Sequence, residues 1–511
     1  MMIHKEDVLI LFFRKKRTDH AIQIDSVTDL FKKLEKVPDF IHFEHKGKDF
    51  TCWISFIQTL VDVEYLHRDV FPYLYSDQTH NLTEVQDQIP TEKVIRTKDL
   101  SLIQSRLLDG YTIIQESEKK PDCLIIPSVK IKGREIEKSE NETSVLGPRE
   151  AFVESADLNI NLIRKRIPIP QFMFEDMRIG KISKTRICVI YIDGIANKDN
   201  IQTVKQRIHD LEITSMIDST MLALMISDNN NSIFPQFIDT ERPDRVAGAL
   251  YEGKIAVIVD GSPNALILPA SIIEFFVAFD DYFLVWPIAT AYRLLRLFAV
   301  AFSVISSSVY VAILTYHYQL IPDNLIPSLF TSRTTIPYAP LSEVLVLEIM
   351  IELLREAVAR LPTKVGQTIG IVGGIVVGTA SVQAGIVSNF LLIIIALSAL
   401  SAFITPNYRM AATIRFIRFP FILSAQILGL LGISLCFLIF VNHLTRLTSL
   451  GRPYIEPIYP TRISDLKDAF IRLPLNFQNM RPLFLRPSDS KRFNNQRAHE
   501  KVGPKHSELD D

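Results

Sequence analysis

The feature that most constrains this chain is a run of 44 residues, Val365 to Tyr408, without a single Lys, Arg, Asp or Glu. A helix needs only about 20 apolar residues to cross the hydrocarbon core of a bilayer, so the run has room for two crossings and a turn, expected near Ser388-Asn389. It opens VGQTIGIVGGIVVG, in which Gly366, Gly370, Gly374 and Gly378 recur every four residues, with Gly373 besides. Each glycine inside a water-exposed helix costs about 1 kcal/mol relative to alanine. In lipid the same spacing builds a ridge along which a neighbouring backbone approaches closely. We therefore expect these glycines to pack helices, within one subunit or between copies.

Two more stretches are apolar enough to cross. Leu297 to Pro322 holds LFAVAFSVISSSVYVAILTYH, and Phe419 to Thr445 holds FPFILSAQILGLLGISLCFLIF, each read as a single span. Four crossings result. Arg293 and Arg296 precede the first, and Arg446, Arg452, Arg462, Lys467 and Arg472 follow the last, so both ends are expected on the cytoplasmic side. That orientation leaves a loop with Arg409, Arg415 and Arg418 on the outer side, against the positive-inside tendency.

The segment SEVLVLEIMIELLREAVARLP, Ser342 to Pro362, fits neither water nor lipid. Glu348, Glu352 and Glu356 recur every four residues on a helix bounded by Pro340 and Pro362, among Val346, Ile349 and Leu353. Two readings stand. It is an amphipathic helix at the membrane surface, with Glu352-Arg355 and Glu356-Arg360 as intrahelical ion pairs. Alternatively, its acids face a water-filled ion path, because ionisable groups at membrane depth mark such routes. The flank LIPDNLIPSLFTSRTTIPYAP suits a re-entrant connection.

The remainder is a soluble α/β region of two subdomains. Residues 1–131 contain the helical patterns SVTDLFKKLEKV and TEKVIRTKDLSLIQSRLLDG and the buried strands YTIIQ and CLIIP. An apolar run from Val8 to Phe13 lacks a small-residue cleavage site and follows Glu6 and Asp7, so an amphipathic strand or helix is expected there and not a signal peptide. Residues 132–144 form a charged linker. In residues 145–285, the strands RICVIYIDG and KIAVIVDGSP alternate with the helices NIQTVKQRIHDLEI and RPDRVAGALYEG, which implies a parallel or mixed layer. GPREAFVESADLNINLIRKRI reads as a further helix. Residues 286–445 make the helical membrane domain, and 446–511 a basic cytoplasmic tail, partly disordered.

Composition narrows the function. A net charge of −1 argues against nucleic acid as a partner. Cys52, Cys123, Cys188 and Cys436 are too far apart for a zinc or disulfide framework, and no other metal or cofactor is expected. There is no Walker A or HExxH motif and no nucleophile–base pair, so catalysis is not expected. Asp260 in VDG belongs to a turn.

Six motifs in order carry a resemblance: SVLGPREAFVESADLNINLIRKRI (144–167), FPQFIDTERPD (234–244), EGKIAVIVDGSP (252–263), YHYQLIP (316–322), EIMIELLREAVARLP (348–362) and TIGIVGGIVVGTASVQAGIVS (368–388). From about 144 to 460 the chain resembles the A subunits of GerA-type spore germinant receptors. The resemblance implies a multi-pass protein of the spore inner membrane that works with a transporter-like B subunit and a lipoprotein C subunit. It further implies assembly as a homo-oligomer, a pentamer, conducting monovalent cations when nutrients are sensed. The chain departs from the family at Asn389 and at about Ser307, where proline is usual. The polar residues Glu150, Glu154, Asn159, Arg164, Glu241 and Arg242 of these motifs are candidates for a subunit interface. A non-conducting scaffold for the B and C subunits, or a secondary transporter, are the competing functions.

Overall fold

The computed structural model describes residues 26–46, 51–74, 81–89, 94–117, 121–129, 142, 147–466, 468–474 and 478–492. The Val8–Phe13 run, the linker apart from Glu142, Lys467 and the tail beyond Arg492 lie outside the described residues. The chain divides after Lys132 into two compact units, with Pro168–Pro170 grouped with the first.

The first unit is a five-stranded sheet in the order β1 (Phe40–Lys46), β2 (Thr51–Ile57), β4 (Tyr111–Gln115), β5 (Cys123–Pro127), β3 (Ile95–Thr97), antiparallel at every pairing. Side chains alternate across a strand, so Ile113, Cys123 and Ile125 pack under α1 (Val27–Leu34) and α3 (Leu100–Leu108). Their neighbours Ile114, Leu124 and Ile126 pack on the other face against α2 (Leu82–Gln88) and residues 63–74. Burial on both faces is why YTIIQ and CLIIP read as unbroken apolar runs. It also pushes the Cys52 and Cys123 thiols up to about 12, so both stay protonated. Of TEKVIRTKDLSLIQSRLLDG, the described first half holds the strand Ile95–Thr97, and the helix begins at Leu100, where Asp99 caps it by accepting from Ser101 N at 2.9 Å.

The second unit opens with another five-stranded sheet, in the order β6 (Phe172–Ile179), β7 (Thr185–Ile192), β9 (Ile255–Val259), β10 (Ala265–Leu268), β8 (Ile238–Thr240). Every pairing is antiparallel, which corrects the expected parallel or mixed layer. Strands buried on both faces mimic the apolar runs of parallel sheets, while the tight β6-β7 and β9-β10 connections permit only antiparallel neighbours. One face packs on α5 (Lys198–His209) and α6 (Ser219–Ile226), and helices α4 (Ala156–Arg166) and α7 (Pro243–Tyr251) pack on each other and on β9. Asp260 does belong to a turn, and there it accepts from Ala156 N at 3.0 Å, capping α4 from 104 residues away.

From Trp286 onward the same unit is helical. We call the end of each helix nearest the sheet proximal. Helix α8 (Trp286–Tyr316) leaves proximally, followed distally by a short α9 (Ile326–Arg333). The acidic segment, α10 (Pro340–Ala359), runs back along α8, with Glu343 opposite Tyr310 and Glu348 opposite Ser307. Helix α11 (Thr363–Gln383) goes out again. After a turn in which Gly385 adopts φ +67°, α12 (Asn389–Phe403) returns, capped by Ser388 as the expected turn position requires.

The last helical element, α13 (Tyr408–Arg446), is not the single span expected for Phe419–Thr445. Gly429 has φ 61° and ψ −139°, outside helical space, and splits the element into two arms, 408–428 and 430–446. The arms fold back on one another. The rings of Phe421 and Phe440 lie 5.6 Å apart and stacked, whereas 19 residues of straight helix would separate them by about 28 Å. Both arms meet the same short loop: Thr413 donates to Ile233 O at 2.7 Å, and His443 bonds Ser232 at 2.9 Å. At the distal tip a Cβ on Gly432 would lie 2.0 Å from Ser424 O, so only glycine fits.

By length and composition α8 and α13 are the described helices able to cross a membrane, with 368–383 and α12 shorter apolar helices. Arg293 and Arg296 do not flank α8 in water but are buried in it. Both bond Asp281, at 3.3 Å and 3.1 Å, and Arg293 also holds Asp468. Arg472 donates to the carbonyls of Leu284 and Tyr282, which ties the segment after α13 to the start of α8. That segment is held a second time by Asp228, which accepts from Leu450 N, Gly451 N, Thr448 and Arg207. Burial works to raise the Asp228 carboxyl, but these donors outweigh it and hold it below the usual range.

A carboxyl depressed by folding stabilises above its unfolded pKa and loses that contribution as pH falls through the folded value. The gap in thermal midpoint between wild type and Asp228→Asn is therefore expected in full above about pH 4, closing below it. Gly429→Ala is expected to cost about 1–3 kcal/mol from its backbone alone, and more because the added Cβ would lie 2.8 Å from His317. Gly374→Ala, which meets nothing within 4 Å, should leave the midpoint of the detergent-purified protein nearly unchanged.

Candidate functional site

Charged side chains in an apolar helical layer need partners, and α10 shows how they are met. Along its length the acids pass from enclosed to open. Glu343 and Glu348 are fully buried, Glu352 is partly covered, and the Glu356 side chain is 65% exposed.

At the distal end Glu343 accepts from Ser388 N at 2.6 Å and from Tyr310 at 3.4 Å, and pairs with Arg333 at 3.3 Å. Tyr310 and Ser388 bond one another at 2.9 Å, so one carboxylate joins α8, α9, α10 and the start of α12. One helical turn and a residue further on, Glu348 accepts from Ser307 at 2.8 Å and pairs with Arg418 of the first arm of α13. Arg418 also donates to Ser303 at 2.8 Å. Both members of the pair are about 2% exposed, making it a buried ion pair with hydroxyl support.

Nearer the sheet, Glu352 binds Arg355 at 2.6 Å and Arg415 at 3.5 Å, and Glu356 binds Arg360. The intrahelical pairs of the surface-helix reading are thus present, on a helix that nevertheless runs within the bundle. The residues expected in an outer loop, Arg409, Arg415 and Arg418, lie instead along a helical arm. Arg409 reaches Asp239 of β8 at 3.2 Å, placing that arm's beginning at the proximal end. The sequence reading missed Arg418, Ser303, Ser307 and Glu343; three arginines spaced through an otherwise apolar stretch were the available signal.

The glycines divide. Gly366 and Gly370 approach Val358, and Gly373 approaches Leu354, so this part packs on α10. Gly378 faces Leu392 of α12, and Gly374 faces open space.

The polar residues of the first two motifs have partners within the chain. Asn159 is buried and closes the preceding loop, accepting from Val153 N at 2.9 Å and donating to Val153 O. Arg164, 1% exposed, stacks over Phe172 at 4.9 Å. Arg242 is buried between Asp244, at 2.7 Å, and Asp280, at 3.0 Å, over the ring of Phe279. Its N–H bonds Thr240, which therefore precedes α7 without capping it. Glu241 is buried, and its carbonyl accepts from Phe152 N. Glu150, paired with Arg166, and Glu154 reach the surface.

Removing one member of a buried pair strands the other, at about 3–5 kcal/mol. Glu348→Gln and Arg418→Gln are each expected to lower the thermal midpoint sharply. The double variant should recover a large part of the loss, and the size of the recovery measures the coupling.

Residues 28–484 match the family model described as Bacillus/Clostridium GerA spore germination protein. The chain is 48% identical to spore germination protein GerQA of Bacillus cereus over 92% of its own length and 94% of that protein. It is 44% identical to spore germination protein GerIA of the same species, covering 96% of this chain and 73% of that one. Identity to spore germination protein KA of Bacillus subtilis (strain 168) is 36%, over 86% and 81%. The crystal structure of the N-terminal domain of the A subunit of the Bacillus megaterium spore germinant receptor GerK3 aligns at 26% identity with a TM-score of 0.37, covering 47% of this chain and 92% of that one. On the extent of the family-model match and the sequence identities, the chain belongs to the GerA family of spore germination proteins.

Proposed function

We propose that this protein is the A subunit of a nutrient germinant receptor of the spore inner membrane, acting with a transporter-like B subunit and a lipoprotein C subunit. In this reading copies of the chain assemble around an axis into a ligand-gated path for monovalent cations. The observation that carries it is the graded stripe on α10, because ionisable groups kept at bilayer depth are expensive and are retained for ion routes. Its distal acids hold the bundle together, while Glu352 and Glu356, each paired with arginine, reach solvent with side chains 32% and 65% exposed. Six helical runs alternate in direction, counting the two arms of α13, and bring the chain back to the side from which it left. That supports placing both flanking soluble parts on one side, the cytoplasmic one, with six crossings in place of the expected four. The 15-residue α12 spans about 22 Å, short of the roughly 30 Å hydrocarbon core, so the bilayer must thin or the helix must lie against protein there.

The exposed apolar positions of α11, including Ile371 and Ile375 beside Gly374, support a contact with lipid or another copy on that face. A non-conducting scaffold is the competing reading. Potassium release on germinant addition separates them, in spores whose sole receptor contains this chain, at matched receptor levels. Conduction predicts that Glu352→Gln or Glu356→Gln slows release or alters cation preference. Unchanged release in both, together with cross-linking that finds a single copy per complex, would sink the channel. Glu348→Gln should act chiefly by lowering receptor level.

A further inference from the structure

A cavity of about 730 Å³ lies between the proximal ends of the helices and the second sheet's helical cover. Four arginines line it, Arg242, Arg245, Arg355 and Arg415, against two carboxylates, Glu142 and Asp280. Those carboxylates are engaged on their own wall, Glu142 by Arg245 at 2.6 Å and Asp280 by Arg242 at 3.0 Å. On the helical wall the balance differs. Arg355 and Arg415 reach the same oxygen of Glu352, so two guanidinium groups share one carboxylate atom.

Two donors on this side have no hydrogen-bond partner among the described residues: Nε of Arg355 and Oγ1 of Thr405, the latter on a residue 6% exposed. Buried donors are nearly always satisfied, and both residues are part of the cavity lining. The rest of the lining is apolar, with Leu354, Val358 and Ala399 continuing along the helices. At the mouth, Phe403 and Tyr408 are 66% and 69% exposed, and the Arg355 guanidinium sits 4.7 Å above the Phe403 ring. Exposed aromatics beside a basic pocket at helix ends are the features expected at the headgroup level of a bilayer.

We propose that this cavity binds the phosphate ester of an anionic phospholipid. Arg355, Arg415 and Thr405 donate to the phosphate, and an acyl chain lies along the Leu354–Val358–Ala399 wall. The site does not depend on conduction by the chain.

The test uses the full chain in an uncharged detergent, titrated with dioleoylphosphatidylglycerol or dioleoylphosphatidylcholine while the thermal midpoint is read. Phosphatidylglycerol is expected to raise the midpoint saturably and phosphatidylcholine to do much less. Arg415→Gln and Thr405→Val should each require about tenfold more phosphatidylglycerol for half the effect, the loss expected for a charge-assisted hydrogen bond. Arg446→Gln, which removes an exposed charge elsewhere, should respond as wild type. Thr405→Val removes only a hydroxyl and carries the test if Arg415→Gln fails to fold. Equal shifts with the two lipids, or a wild-type response of Thr405→Val, would overturn the site. If glycerol 3-phosphate alone reproduces the shift, the phosphate site stands and the lipid is overturned as its source.

Discussion

The pairing of Glu348 with Arg418 is the contact around which the helical part of the molecule is organised. Neither ion is tolerable alone in an apolar layer, and together they need further donors and acceptors to offset their desolvation. Ser303 and Ser307 supply these from α8, so three helices distant in sequence are drawn to one point. The Ser307 hydroxyl donates that hydrogen bond to Glu348, which no apolar side chain there could do. Helix α12 lies against α8 beside this centre, where Ser398 donates to Ser303 O at 3.1 Å, and α11 packs on α10 through Gly366, Gly370 and Gly373.

A second set of buried charges fixes where the helices meet the sheet. Asp281 holds Arg293 and Arg296, and Arg472 holds the carbonyls of the same turn, so the start of α8 and the segment following α13 are fastened together. Asp228 fastens that segment again. The outgoing and returning ends of the helical region are therefore both positioned by contacts with the α/β layer.

Much of this was legible in the sequence where the signal is local. Ser26 before α1, Pro243 inside the start of α7 and Gly253 past its end act at their own positions, and these elements stand as expected. Sheet direction was not legible, because a strand buried on both faces has the same apolar run whichever way its neighbour points. Nor was the fold-back at Gly429. In LSAQILGLLGIS both arms are equally apolar, and the break depends on close backbone approach at Gly432, which hydropathy does not register. The buried ion pair joins residues 70 positions apart, so Glu348 looked like part of a uniform stripe when its environment sets it apart from Glu356.

The fold-back also bears on how the protein is made. The first arm of α13 carries Arg415 and Arg418, each unfavourable in lipid by about 2.5–3.5 kcal/mol when unpaired near a helix centre. Their carboxylate partners, Glu352 and Glu348, sit on α10, which is synthesised earlier, and the second arm is almost wholly apolar. Synthesis thus has a built-in order: α10, made first, is available to receive these arginines when the first arm of α13 packs against it.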